Sequence, residues 1–240
     1  MTTVVVSQPM LFPWPGFFEQ LMLADVYLFL DDVQFSKGSF TNRVQVRLGD
    51  ESKWMTIPLA SKGAFQRISE LSDTGTDWRK SHRDLLRQAL RGAPYLSDAL
   101  SLVDACYAEQ TICDVLIASV EKTAQYLRVG TGQRRQKTSS MNIGGESWMR
   151  VLELVRAIGG TRYLTGHGAA NYLDHAAFEK SGVAVEYMAY SLKPWPRAVA
   201  NFTPYVTILD LIAHTGPAAR NYLEPSTQPW HSFLAKTTSH

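Results

Sequence analysis

The amino-acid sequence predicts an α/β fold: a Rossmann-like, mostly parallel sheet carrying a β-rich insertion and a helical middle segment. Three observations predict it. Between Thr3 and Leu30 a strand, a stiff loop, a helix and a second strand follow one another, which is a βαβ unit and implies parallel pairing. After Glu146 short apolar strands and amphipathic helices alternate again. Between these parts lie a hairpin pattern and then a long region of helical periodicity.

The elements follow in order. Thr3 to Ser7 is β-branched and apolar, the pattern of a strand buried on both faces. Gln8 to Gly16 holds Pro9, Pro13, Pro15 and a glycine, so it is a stiff, ordered loop. Gly16 to Ala24 places Phe17, Phe18, Leu21 and Met22 at helical spacing, and Val26 to Leu30 is a strand. In Asn42 to Leu48, Val44, Val46 and Leu48 alternate with Arg43, Gln45 and Arg47, the mark of a half-buried strand. Gly49-Asp50 turns it toward a partner over Lys53 to Leu59, and Phe65 to Leu71 is expected to add a third strand. From Asp77 the period changes. Trp78 to Leu90 is an amphipathic helix that stops near Gly92-Ala93-Pro94, and Leu96 to Leu127 is helical with a break near Glu109 to Thr111. Gly130 to Ser140 reads as a polar connection. Glu146 to Ile158 is a helix stopped by Gly159-Gly160, and Arg162 to Thr165 is a strand. Gly166-His167-Gly168 is a tight loop, Ala169 to Ser181 a helix and Val183 to Met188 a strand. Pro194 to Pro204 is a loop, followed by helices over Tyr205 to Thr215 and Pro217 to Leu223. These assignments give one α/β domain over residues 1–225, with a helical subdomain at about 77–128, and a flexible tail over 226–240.

Composition narrows the function classes. The chain has 240 residues, 45% of them apolar and 19% charged, with a net charge of +2, which excludes disorder as its main character. No apolar run is long enough to span a bilayer, and the first residues lack the pattern of a secretory signal, so a cytoplasmic, non-membrane protein is expected. Lys plus Arg (24) and Asp plus Glu (22) nearly balance, so no global field favours nucleic acid. A local basic patch over Arg128 to Lys137 competes with a plain solvated loop. Cys106 and Cys113 fit no metal spacing and read as core thiols.

In an open α/β sheet, ligands sit beyond the carboxyl ends of the strands. Gln8 ends the first strand and Asp31-Asp32 ends the second. Gln8 offers a donor and an acceptor, Trp14 a stacking face, and Gly16 a helix start with free N–H groups for an anion. Neighbouring strand residues point to opposite faces, so one aspartate is expected at the ligand and the other to anchor a loop, through Asn42 or Arg43. The alternative is that both simply solvate the strand end. His167, between two glycines, and His82, on the helix after Trp78, are the histidines to weigh as acid–base or binding groups; packed or surface roles compete for each. No phosphate loop, dinucleotide fingerprint, serine elbow or zinc ligand pair is present, so no metal is implied.

Gln8-Pro9, Phe12-Pro13-Trp14 and Gly16-Phe17-Phe18, then Leu30-Asp31-Asp32-Val33-Gln34-Phe35 with Lys37, Ser39-Phe40 and Asn42-Arg43, together resemble the opening of the WbqC-like bacterial family. Trp54 with Thr56-Ile57-Pro58 continues the resemblance, as do Ala93-Pro94-Tyr95, Tyr163 to Gly166 with Gly168-Ala169 and Tyr172-Leu173, and Ile208 to Leu211. It reaches from Gln8 to about Leu223. The resemblance implies a place in O-antigen or natural-product biosynthesis and transfer of a glycyl, other aminoacyl or acyl group to an amine of a small or sugar-nucleotide acceptor. A weaker, fold-level analogy adds to it: a strand, a proline- and glycine-bearing loop and a helix resemble the start of class I synthetase-like folds, which also host enzymes that consume aminoacyl-tRNA, so an activated donor on tRNA or a carrier protein is expected. On this reading Asp31, Asp32 and His167 are the catalytic candidates, and Gln8, Trp14, Gly16, Gln34, Asn42, Arg43 and His82 the substrate-binding ones. A non-catalytic binding protein and a nucleotide-dependent ligase or nucleotidyltransferase are the alternatives.

Overall fold

β-branched Thr3–Ser7 forms β1, and Val26–Phe29 forms β2, paired parallel with Val4 opposite Val26 and Ser7 opposite Phe29. The computed structural model describes residues 1–60, 65–191, 193–197 and 202–237. Between the two strands, Pro15 opens helix α1 (Pro15–Leu23), where its fixed φ and missing N–H cost nothing. Four more strands complete the main sheet: β5 (Arg134–Lys137), β6 (Arg162–Thr165), β7 (Ala184–Met188) and β8 (Thr227–Pro229). Its order is β5-β2-β1-β6-β7-β8, parallel except for β8. The chain winds outward from β1 in both directions, which confirms the Rossmann-like α/β class and makes the end of β1 the switch point.

The pleat sorts side chains into two cores. Val5, Tyr27 and Phe29 face α1, together with α3 (Leu96–Tyr107), α4 (Ile112–Leu127) and α7 (Ile208–Thr215). Val4, Val6, Val26 and Leu28 face α5 (Ser147–Ala157) and α6 (His175–Lys180). The hairpin β3 (Arg43–Leu48) and β4 (Glu51–Thr56) makes a separate antiparallel pair and drives Val44, Val46 and Met55 into the first core. Arg47 is buried there too, its Nε donating to the Gly49 carbonyl at 3.0 Å. Helix α2 (Trp78–Ala89) starts where Asp77 caps the Lys80 N–H, and α4 where Thr111 caps the Asp114 N–H. The expected break near Glu109 to Thr111 therefore separates α3 from α4, and places buried Cys106 and Cys113 on different helices.

Four local expectations need correction. The polar connection at Gly130 to Ser140 contains β5, a strand made by backbone pairing to β2 and not by an apolar pattern. The third strand over Phe65 to Leu71 is a 3₁₀ turn at Ile68–Glu70 with one bridge between Gln34 and Arg67, because the Ser69 N–H is taken by the Asp31 carbonyl. Ala169 to Ser181 splits into a 3₁₀ turn at His167–Asn171 and the shorter α6. The tail forms β8 and α8 (Trp230–Thr237), where Phe233 stacks on Tyr187 with ring centroids 4.1 Å apart and so covers the β7 edge. Part of the loop expected over Pro194 to Pro204, residues 198–201, lies outside the described residues, as do residues 238–240. No helix among the described residues is long and apolar enough to cross a membrane.

His82, buried in α2, joins the subdomain to the hairpin. Its Nε2 donates to the Thr56 carbonyl at 2.9 Å, which leaves Nδ1 to accept from the Tyr107 hydroxyl at 2.8 Å. Desolvation lowers its pKa from 6.5 to about 4. The unfolded chain takes up a proton near pH 6.5 that the folded chain refuses, so this contribution to stability is present above that pH and is lost as pH falls toward 4. The loss is of order 3 kcal/mol. Urea denaturation across this window should show stability dropping with pH, and His82→Gln should flatten the slope.

Candidate functional site

The opening loop is buried, so each of its polar backbone groups needs a partner. The Leu11 N–H donates to the Thr41 carbonyl at 3.1 Å. The Phe12 N–H donates to the Ser119 hydroxyl at 3.0 Å, and Ser119 lies 2.8 Å from the Met10 carbonyl. The Thr207 hydroxyl donates to the Phe12 carbonyl, and the Ile208 N–H to that of Pro13. Phe12 sits at φ 38, a left-handed conformation that this clamp holds. At the start of the loop the Thr41 hydroxyl donates to Gln8 Oε1 at 3.1 Å, which fixes the carboxamide and leaves its NH2 for a ligand.

Gln8 lines an open crevice of about 790 Å³ beyond the carboxyl ends of β1 and β2. Asp32 and Gln34 share it, so three of the expected site residues meet there. The other walls are Arg67, Tyr172, the glycine turn Gly144-Gly145 and the start of α5 with Arg150. Gly145 adopts φ 103, a region that favours glycine.

The two aspartates have divided their roles. Asp31 is 2% exposed and accepts from the Ser139 N–H (3.0 Å), the Ser139 hydroxyl (2.7 Å) and the Thr138 hydroxyl (3.3 Å). It anchors the turn after β5, and its partners are not the expected Asn42 or Arg43. Asp32 faces the crevice, accepting from Thr138 at 2.6 Å and from Arg150 Nη2 at 2.5 Å. Burial works to raise its pKa, but the hydrogen bonds from Thr138 and Arg150 and the guanidinium charge outweigh it, holding the carboxyl below its usual value. Arg150 is steadied in turn by its Nε donating to the Ile143 carbonyl at 3.1 Å.

The remaining candidates lie elsewhere. Gly16 does not line the crevice; the Trp14 indole lies against it, and a Cβ there would come within 2.4 Å of the ring. Its role is to admit that close approach. Trp14 and Arg43 line a second, smaller hollow. Asn42 is buried in the hairpin, its carboxamide N–H donating to the Ile57 carbonyl at 2.9 Å. His82 belongs to the helical layer. His167 is exposed, donates from Nε2 to the Met188 carbonyl at 2.8 Å and packs between Tyr190 and Phe233, without lining the crevice. The basic stretch after Arg128 does not form a one-sign patch, since Arg135 and Lys137 share a groove with Glu109, Asp114 and Glu121. Arg150, Arg67 and Thr138 belong to no motif of the sequence. The Gly144-Gly145 pair ahead of a helix was the one local signal for that wall. Among the described residues, no group of three or more His, Cys, Asp or Glu side chains could hold a metal ion.

A doubly wound α/β chain with a polar crevice at its switch point is the class of protein that fold and site define. The chain belongs to the WbqC-like protein family, whose match covers residues 8–222. It is also 26% identical over 228 residues to the uncharacterized protein Rv1507c of Mycobacterium tuberculosis, covering 93% of this chain and 98% of that one. No solved structure matches it.

The division between the aspartates predicts different costs. Asp31→Ala orphans the part-buried N–H and hydroxyl of Ser139, while Thr138 keeps its shorter bond to Asp32, and should cost about 3 kcal/mol of stability, whereas Asp32→Asn keeps an acceptor for Thr138 and should cost about 1 kcal/mol. Chemical denaturation of the two variants beside the parent chain measures the difference.

Proposed function

We propose that the protein is a transferase that moves an aminoacyl or acyl group, glycyl being the first choice, onto an amine of a small or sugar-nucleotide acceptor. The observation that carries this reading is the convergence of Gln8, Asp32 paired to Arg150, and Gln34 in one open crevice at the switch point. In such a reaction the amine nitrogen attacks the carbonyl carbon of an activated ester. An amide bond forms, the C–O bond breaks, and the amine proton leaves with the alcohol. Asp32, held ionised, is a weak base and a good partner for the acceptor's ammonium. The Gln8 NH2 is a donor suited to the carbonyl oxygen as charge develops on it. Arg67 favours an anionic portion of the acceptor set away from Glu146 at the start of α5. Both thiols are buried and desolvation pushes their pKa to about 12, so neither serves as a covalent nucleophile, and direct transfer is preferred to a two-step route.

Incubation with candidate amino-sugar nucleotides and aminoacyl donors, read by mass spectrometry, should give an acceptor heavier by one aminoacyl group. Gln8→Ala and Asp32→Asn should each lower kcat/KM by about a hundredfold while staying folded. Full turnover in both variants excludes the crevice, and binding of the acceptor without any product points to an accessory protein.

A further inference from the structure

The loop that presents Gln8 to the crevice turns its next residues the other way. Two residues on, from Met10 to Trp14, it walls a separate hollow of about 190 Å³. That is too small for a whole drug-sized molecule and suits one ring system. Three aromatic rings, Trp14, Phe40 and Tyr205, line it beside the apolar Met10, Leu11, Pro13 and Val44, with Trp14 and Tyr205 centred 5.5 Å apart. The aromatic surface continues outward, because Phe40 lies 5.9 Å from Trp54 and the Arg43 guanidinium stacks 4.2 Å above the Trp54 ring. Phe40, Trp54 and Tyr205 are 54%, 42% and 61% exposed, more aromatic surface than the packing of this hairpin requires.

The polar groups narrow the occupant. Gln45 brings a carboxamide, with donors and an acceptor on one side chain. Arg43 lines the hollow, and its Nε is buried without a hydrogen-bond partner among the described residues. The Arg43 Nη2 already donates to the Gly38 carbonyl, but a purely hydrocarbon guest would leave its Nε dry and unpaired, which is costly. No carboxylate lines the hollow. Arg43 is the one cation among its lining residues. Aromatic walls, a carboxamide and one guanidinium together suit a planar heteroaromatic ring with polar edges.

We infer that this hollow is a nucleobase pocket. The Gln8–Thr41 hydrogen bond stands beside it, with Gln8 in the crevice and the neighbouring Phe40 in the hollow. A base seated here would lie across the same loop from the crevice that Gln8 lines. The assignment of that base to the group donor rests on the transferase reading; the binding of the base does not. Two sources share the chemistry, a free nucleotide and the terminal base of an RNA strand.

The test is a titration with ethenoadenosine monophosphate, whose emission changes on stacking, and with a short single-stranded RNA ending in the same base. Saturable binding is expected to one or both. Phe40→Ala and Tyr205→Ala alter exposed rings, so the fold should hold, as a thermal melt will confirm, while affinity falls about tenfold or more in each. Tighter binding of the RNA identifies a strand end as the source, and equal affinity identifies the mononucleotide. Asp32→Asn should bind like the parent chain, which separates this pocket from the chemistry of the crevice. Absence of binding, or binding untouched by both ring deletions, overturns the inference.

Discussion

The structure depends on satisfying the backbone of a loop that has no secondary structure and little access to water. Gln8 to Trp14 carries prolines that cannot donate and carbonyls that must accept, in a place where an unpaired polar group is expensive. The solution draws on segments remote in sequence. Thr41 comes from the start of the hairpin, Ser119 from the middle of α4, and Thr207 from the turn into α7. This clamp ties the hairpin, the helical layer and the C-terminal third to the end of β1. It also decides which way each loop residue faces, and so creates the crevice on one side and the aromatic hollow on the other.

The adjacent aspartates show how a strand end divides labour. Both carboxylates sit where the sheet stops, and the pleat sends them apart. Asp31 turns into the protein and meets the three donors of the Thr138–Ser139 turn. Asp32 turns outward and meets Arg150. Thr138 touches both, so the end of β5 holds the pair in register. Asp32 therefore acts as a fixed anion, and the ligand-facing surface of the crevice carries alternating charge.

Most of the architecture was legible in the sequence because it rests on local periodicity. The β-branched run of β1, the helical stripes of α2 and α5, and the Thr111 break each have a near-neighbour cause. The misses share the opposite cause. β5 consists of four polar residues and is a strand only because β2 offers it hydrogen bonds. The chain end forms β8 and α8 because the β7 edge and the Tyr187 ring were waiting for them, although Trp230, Phe233 and Leu234 already had helical spacing. For the histidines residue type carries no position: His82 sits between Tyr107 and Thr56, and His167 holds the Met188 carbonyl with Nε2, outside the residues that line the crevice.

By itself the sequence determined the fold class, the family likeness and the meeting of Gln8 with the Asp31-Asp32 pair, because consecutive strands in a βαβ unit bring their carboxyl ends together whatever else the chain does. Only the tertiary structure decided which aspartate faces the crevice, that Arg150 and Arg67 complete its wall, and that Trp14 and Arg43 serve a separate hollow. Those choices are made by contacts between residues more than a hundred positions apart, such as Asp32 with Arg150 or Phe12 with Ser119, and a pattern of near neighbours has no record of them.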